Sequence, residues 1–177
     1  MATVRPGVMK LAEAQPGKQG EVEDFKVEFT PEDMNVTIKE VIKETKKAVD
    51  ITDAKVLVSG GRGIGSADYY KELQKVADLL GGEISSSRAN VDAGWIAKDR
   101  QVGQTGKTVR PDLYLACGIS GAIQHIAGME NSECVISINK NDTAAIFDVS
   151  DLGIVGDVKV IIPKLIDALT KYKAAQN

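Results

Sequence analysis

The stretch "LVSGGRGIGSADYY", residues 57–70, decides the fold. A β-branched run, "KVLVS" at 55–59, stops at glycines, passes Arg62 and two further glycines, and gives way to a helical stripe. That stripe is Tyr69, Leu73, Val76, Ala77 and Leu80, closed by Gly81-Gly82. A strand with no polar alternation is one buried on both faces, as in a parallel sheet. A strand, glycine turn and helix in that order can present backbone N–H groups to a phosphate. The turn comes close to the dinucleotide fingerprint and misses it: with Gly61 and Gly63 as the first two glycines, Ser66 stands at the third. A tight structural turn therefore stays open as the other reading. It is not a P-loop, because no GK[ST] follows at the required spacing. Lys107-Thr108 follows Gly106 but lacks the upstream glycine and does not follow a strand.

Outward from this stretch the same texture recurs. "EISSS" (83–87), "DLYLACG" (112–118) and "CVISIN" (134–139) read as short strands, and "SGAIQHIAG" (120–128) starts a helix directly after one of them. Asp157 to Lys173 reads as the last helix, with Pro163 expected to break or kink its first turns. Strands alternating with helices predict an α/β fold, a Rossmann-like doubly wound parallel sheet. Ligands of such sheets sit beyond the carboxyl ends of the strands. Four polar, glycine- and serine-rich segments fall there: "SGGRGIGS", "SSSRANVDAG", "GISGAIQH" and "INKND". A fifth polar loop, "DRQVGQTGKT" (99–108), lies between two strands. Two glycine-rich strand-to-helix junctions together with "VGQTG" point to a large polyphosphate ligand held at several places.

Before Lys55 the chain reads differently. Val4–Leu11 is a short strand candidate, "QPGKQG" (15–20) a turn cluster, and "VEDFKVEF" (22–29) alternates Phe25, Val27 and Phe29 against Asp24, Lys26 and Glu28, as a half-buried strand would. Thr30-Pro31-Glu32-Asp33 is a helix-start signal, and Ile38, Val41, Ile42, Thr45 and Val49 follow at helical spacing. Residues 1–34 are thus expected to be a short N-terminal β appendage and 35–177 the nucleotide-binding domain.

The bulk numbers exclude several classes. The 177 residues suffice for one domain with a sizeable core, and 43% hydrophobic with 27% charged residues is globular composition. A net charge of −3 offers no broad basic field for nucleic acid or anionic lipid. No run approaches the roughly 18 apolar residues of a membrane helix, and the start lacks a signal-peptide core. Cys117 and Cys134 sit in apolar runs without a CxxC or Cys/His cluster, so reduced buried thiols are expected and no metal site is.

Candidate chemistry is sparse. His125 is the only histidine and falls on the first turn of a helix at the expected site; alone it would read as a satisfied core or surface histidine. The helix start is expected to lower its pKa. Arg88 reads either as a solvated loop cation or as part of the site. Asp92, Asp99 and Asp112 have no partner at a spacing that suggests acid–base work, and no catalytic triad emerges. The residues hold a cofactor and offer no catalyst of their own.

Taken together, "SGGRG", "SRANVDAGW", "QVGQTGKTVRPDLYLACGISGAIQHIAGM", "INKND" and "DLGIVGDV" resemble the FAD-binding domain of the electron-transfer flavoprotein alpha subunit, from about Lys55 to Lys173. The resemblance implies one FAD on a Rossmann-like parallel sheet. It implies an electron carrier whose redox chemistry belongs to that FAD, paired with a beta subunit. Electrons would pass from acyl-CoA or other dehydrogenases, or from NADH, to a quinone-linked or soluble acceptor, in the bacterial cytoplasm or the mitochondrial matrix. The cofactor contacts it implies are Arg62 in the glycine turn; Ser87 and Arg88 after the second strand; and Val102, Gly103, Gln104 and Thr105 beside the flavin. Ser120, Gly121, Ala122, Ile123, Gln124 and His125 would follow at the phosphates and flavin ring, Asn139 after a later strand, and Asp151 and Leu152 towards the adenosine. Family alpha chains begin with a whole further α/β domain, so residues 1–30 are expected to be its tail and this chain a fragment. The alternative is a nicotinamide-nucleotide oxidoreductase on the same sheet, in which Glu83, about 20 residues beyond the turn, would hold a ribose hydroxyl. A solvated strand-end acid is the plainer reading of Glu83.

Overall fold

The computed structural model describes residues 9, 12, 13, 15–17, 19–30, 33, 39, 40 and 49–176. The chain divides into two compact units, one of residues 11–48 and one of the remainder.

The larger unit is built on five parallel strands: β1 (Val56–Gly60), β2 (Glu83–Ser86), β3 (Leu113–Cys117), β4 (Val135–Asn139) and β5 (Leu152–Val155), in the order β2-β1-β3-β4-β5. The first four fall on the short strands read from the sequence. β1 and β3 are central and buried almost throughout, which is why their residues alternate between two apolar environments rather than between core and water. Leu57 of β1 lies beside Tyr114 of β3, and both belong to the core on one face; Val58 and Leu115 are likewise paired and belong to the core on the other. The chain steps outward from β1 to β2, then returns past β1 to β3. The order therefore reverses between β1 and β3, the place where doubly wound sheets open a crevice.

One face is covered by two helices, α1 (Tyr70–Leu80) and α4 (Val158–Gln176), which contact each other. α1 buries Tyr70, Leu73, Val76 and Ala77, a stripe at helical spacing, each large side chain contributing about 2 kcal/mol of burial. It ends because Gly81 takes φ +68° and Gly82 donates its N–H to the Ala77 carbonyl at 2.8 Å. α4 runs on through Pro163 without the expected break. That position is exposed, so the carbonyl that loses its helical partner faces water. The opposite face carries α3 (Ile123–Ile126) and the fully buried residues Val102, Val109, Met129 and Ile146, while α2 (Arg88–Asp92) follows β2 and turns Asn90 to Tyr70 of α1.

β5 was not anticipated from the sequence. It is an edge strand with exposed Leu152 and Val155 and a glycine between them, so it lacks the apolar signature of its neighbours. In the smaller unit, Glu21–Thr30 form no strand among the described residues, and Phe25, Val27 and Phe29 are 84%, 56% and 71% exposed. The alternation is present in the sequence, but among the described residues no neighbouring strand supplies the ladder that would make it a sheet. The Thr30–Asp33 signal does form its local turn: Asp33 accepts from the Thr30 N–H at 2.9 Å and its hydroxyl at 2.7 Å. Those bonds hold the Asp33 carboxyl below its ordinary pKa. The strand expected over Val4–Leu11 and most of the helix expected after Asp33 lie outside the described residues.

Candidate functional site

A cavity of about 960 Å³ lies at the carboxyl ends of β1 to β4. Arg62 and Gly63 after β1, Ser87–Ala89 after β2, Gly118–Ser120, Ala122, Gln124 and His125 after β3, and Asn139–Asn141 with Thr143–Ala145 after β4 line it. The loop residues Gln101–Thr105 complete the wall. Among the described lining residues the charged ones are Arg62, Arg88 and Lys140, and there is no carboxylate.

The glycines of the opening stretch are explained by backbone meeting backbone. The Gly61 N–H donates to the Cys117 carbonyl at 2.9 Å and the Gly63 N–H to the Gly118 carbonyl at 3.0 Å. A Cβ on Gly63 would stand 2.8 Å from the Gly118 Cα, and one on Gly61 would strike the Gly118 carbonyl. The turns after β1 and β3 interlock, and this closes the floor of the crevice. The tight structural turn is thus present, and Gly63 also lines the cavity. Gly60 is constrained from the other side, where a Cβ would lie 2.9 Å from the Tyr70 ring.

Around that turn a buried polar knot fixes the start of α2. The Tyr70 hydroxyl is 2.6 Å from Ser86 Oγ, and Asn90 Nδ2 donates to the Tyr70 oxygen at 2.9 Å. Asn90 Nδ2 and the Ser86 and Tyr70 hydroxyls all lie 3.2 Å from the Gly60 carbonyl oxygen, with the two hydroxyls sharing their protons between it and each other. Burial raises the Tyr70 pKa, so the phenol stays a neutral donor. Ser87 and Arg88 are thereby held at the rim. Arg88 itself is largely exposed and rests on Asp92 at 3.2 Å.

The loop over 99–108, left without structure by its sequence, is closely tied. Val102 N–H donates to the Ser86 carbonyl at 2.9 Å, Gln104 N–H to the Gln124 carbonyl at 2.7 Å, and Lys107 N–H back to the Gln101 carbonyl at 2.8 Å. Arg100 pairs with Glu83 at 2.7 Å and Lys107 with Asp50 at 2.8 Å, anchoring both ends. The Lys107 hydrogen bond pulls the Asp50 pKa down to about 2. Glu83 is thus engaged at the amino end of β2, away from the cavity, and is not placed to hold a ribose there. Within the loop, Gln101, buried, donates its Nε2 to Thr105 Oγ1 at 3.0 Å. The Thr105 oxygen accepts that bond, which leaves its own proton for another acceptor.

His125 is buried, 6% exposed, with Nε2 3.0 Å from the Tyr114 hydroxyl. Nδ1 has no hydrogen-bond partner among the described residues. Its pKa is pushed down to about 4 by burial; the Val102 backbone acts weakly in the other direction without closing a bond. The direction is the one the sequence suggests, but the cause is desolvation rather than the helix start.

Of the anticipated contacts, Arg62, Ser87, Arg88, Val102, Gly103, Gln104, Thr105, Ser120, Ala122, Gln124, His125 and Asn139 come together around the cavity. Gly121 and Ile123 do not line it: Gly121 is packed against the Ile146 backbone, and the Ile123 side chain is 81% exposed. Asn139 spends its side chain on structure, donating to the Ile119 carbonyl at 2.8 Å and accepting from the Asn141 N–H at 2.9 Å. Asp151 and Leu152 stand apart. Asp151 accepts from the Val135 N–H at 2.7 Å, which places it at the amino ends of β4 and β5, opposite the cavity. Past the carboxyl end of β5, after Gly156, comes Asp157, which receives the Lys159 N–H at 2.8 Å. Lys140, Asn141 and Thr143, inside or just beyond "INKND", also line the cavity. The rule that ligands sit past strand ends marks these residues.

Residues 50–130 match the family described as the electron transfer flavoprotein FAD-binding domain. The electron transfer flavoprotein subunit alpha of Thermoanaerobacterium thermosaccharolyticum is 53% identical over 173 residues, 98% of this chain and 52% of that protein. The subunit of the same name from Clostridium acetobutylicum is 51% identical over 182 residues, 100% of this chain and 52% of that protein. The acryloyl-CoA reductase electron transfer subunit beta of Anaerotignum propionicum is 49% identical, over 99% of this chain and 49% of its own length. The chain spans about half the length of the curated relatives it matches. A five-stranded parallel sheet, a crevice at its switch point and these matches agree in making residues 50–130 similar to the electron transfer flavoprotein FAD-binding domain.

Proposed function

We propose that this chain holds one FAD in the cavity at the strand ends and serves as the flavin-bearing part of an electron carrier. The observation that carries the reading is the charge of the lining. Among the described residues three cations and no carboxylate gather there, in a chain of net charge −3. Such a lining suits a dianionic pyrophosphate, and about 960 Å³ stands at the upper end of small-molecule sites, as a dinucleotide needs. The residues fit the cofactor in a second respect: a buried nitrogen of His125 awaits a partner. FAD, when bound, supplies the one- and two-electron chemistry. The chain's own residues do the rest. Arg62, Arg88 and Lys140 offset the ligand's charge. The anchored Gln101–Thr105 loop sets a hydroxyl beside the site, and the interlocked turns after β1 and β3 keep the floor closed.

The wider setting belongs to the same proposal. The chain works with a beta subunit, receives electrons from flavin dehydrogenases and passes them to a quinone-linked or soluble acceptor. Among the described residues no helix is long and apolar enough to cross a membrane. The proposed location is the bacterial cytoplasm or the mitochondrial matrix; one relative is named as mitochondrial, in Dictyostelium discoideum.

Titration of the purified chain with FAD, FMN and NAD tests the binding step. FAD is expected to bind most tightly. Replacing Arg62, Arg88 and Lys140 together by alanine is expected to weaken it roughly ten- to a hundredfold, since exposed ion pairs contribute up to about 1 kcal/mol each. Equal affinity for NAD, or an unchanged affinity in the triple variant, would reject the reading.

A further inference from the structure

Behind the cavity wall, four polar side chains are buried together on one face of the sheet. Ser59 of β1 and Ser85 of β2 are register partners, and both are fully buried. Tyr114 of β3 shares their face, because Leu57 is its register partner and Ser59 is two residues on from Leu57. Its hydroxyl meets His125 Nε2 at 3.0 Å, with ring centroids 6.1 Å apart and tilted by 59°. The two serine hydroxyls face the phenol oxygen, but neither closes a bond in this rotamer. None of these groups except His125 lines the cavity.

We propose that Tyr114 is a positioning residue: its O–H donates to His125 Nε2 and so holds the imidazole as the neutral tautomer whose single N–H is on Nδ1, the donor left to serve an acceptor in the cavity. The assignment rests on the FAD reading for what that acceptor is, a carbonyl or phosphoryl oxygen of the cofactor.

Counting protons decides the direction. The imidazole is neutral, because burial pushes its pKa down to about 4, so one nitrogen donates and the other accepts. The phenol is also neutral, since full burial raises its pKa and the serine hydroxyls only partly oppose that. If Tyr114 donates to Nε2, its oxygen keeps two lone pairs for the Ser59 and Ser85 hydroxyls. A small rotation of each serine hydroxyl then gives its proton an acceptor on the phenol oxygen, and the Nδ1 proton faces the Val102 backbone, on a residue that lines the cavity. If His125 donates instead, the Tyr114 proton must go to one serine. That serine's own proton is then stranded in a buried site, and a bare lone pair is left on Nδ1. Buried polar groups without partners are costly, so the first arrangement prevails.

The chain makes this directly measurable, because His125 is its only histidine. Ring nitrogens of ¹⁵N-histidine-labelled protein, with and without FAD, give one pair of long-range correlations. Wild type is expected to show a protonated Nδ1 and an unprotonated Nε2 in both states. Tyr114→Phe is expected to lose that single tautomer and to bind FAD roughly two- to tenfold more weakly. A protonated Nε2 in wild type would overturn the assignment, and that measurement stands even if the variant fails to fold. A folded Tyr114→Phe protein with the wild-type tautomer would overturn it too. The two readings separate cleanly. A chain that takes up FAD with Nε2 protonated contradicts the role of Tyr114 alone. One that shows Nδ1–H but takes up no FAD contradicts the cofactor and leaves the tautomer assignment standing.

Discussion

His125 and Arg88 are the two site residues whose environments differ most. His125 is sealed in, and its pKa of about 4 has a consequence for stability. The folded state resists the proton, whereas the unfolded chain takes it near pH 6.5. Stability from this group is therefore complete above about pH 6.5 and declines as the pH falls towards 4, by about 3 kcal/mol in all. Urea midpoints measured from pH 7 to pH 4 should fall more steeply for wild type than for His125→Gln; parallel profiles would contradict the buried neutral ring. Arg88 lies open to solvent at the rim, its charge shared with Asp92. A permanent cation there favours the reduced cofactor, which carries more negative charge. Solvent screening limits the effect to about 1 kcal/mol, or about 20 mV for a two-electron couple. Arg88→Ala should lower the flavin midpoint potential by about that much while keeping most of the FAD affinity, and an unchanged potential would return Arg88 to the role of a solvated surface charge.

At the scale of elements, the site is made by turns packed against turns. Gly121 has φ +89°, and a Cβ there would run into the Ile146 backbone, whose N–H donates to the Ser120 carbonyl at 3.1 Å. Gly94 has a similar φ, +71°, but open space around it. Gly121→Ala should cost about 3 kcal/mol, from strain and collision together, against about 1 kcal/mol for strain alone in Gly94→Ala. Equal denaturation midpoints for the two would contradict the packing. The same elements show what a sequence can reveal. β1, β3 and β4 are legible because strands buried on both faces are mostly apolar, and β2, the other edge strand, is marked by the short run "EISSS" between a helix-ending glycine pair and a polar loop. β5 is not, because an edge strand answers to one neighbour and to water, and "LGIV" carries no pattern. Asp151 and Leu152, which the resemblance puts towards the adenosine, fall at the amino end of this strand, whose carboxyl end is Val155. The Ser59–Ser85–Tyr114 cluster was beyond reach for a different reason, since only strand register brings those residues together.

For the whole molecule, alternation of strand and helix was enough to specify the sheet, and the strand-end rule was enough to gather most of the cavity. What composition could not show is the sorting of charge: a chain with 25 acids and 22 bases lines its cavity with cations alone among the charged residues described there. The most direct test is the flavin content of the folded chain after incubation with excess FAD and gel filtration, read from the visible spectrum. The account predicts a yellow protein carrying one FAD per chain. In the same experiment FMN, with one phosphate and no adenosine, should be retained far less. A folded, monodisperse protein that elutes colourless from FAD would contradict it.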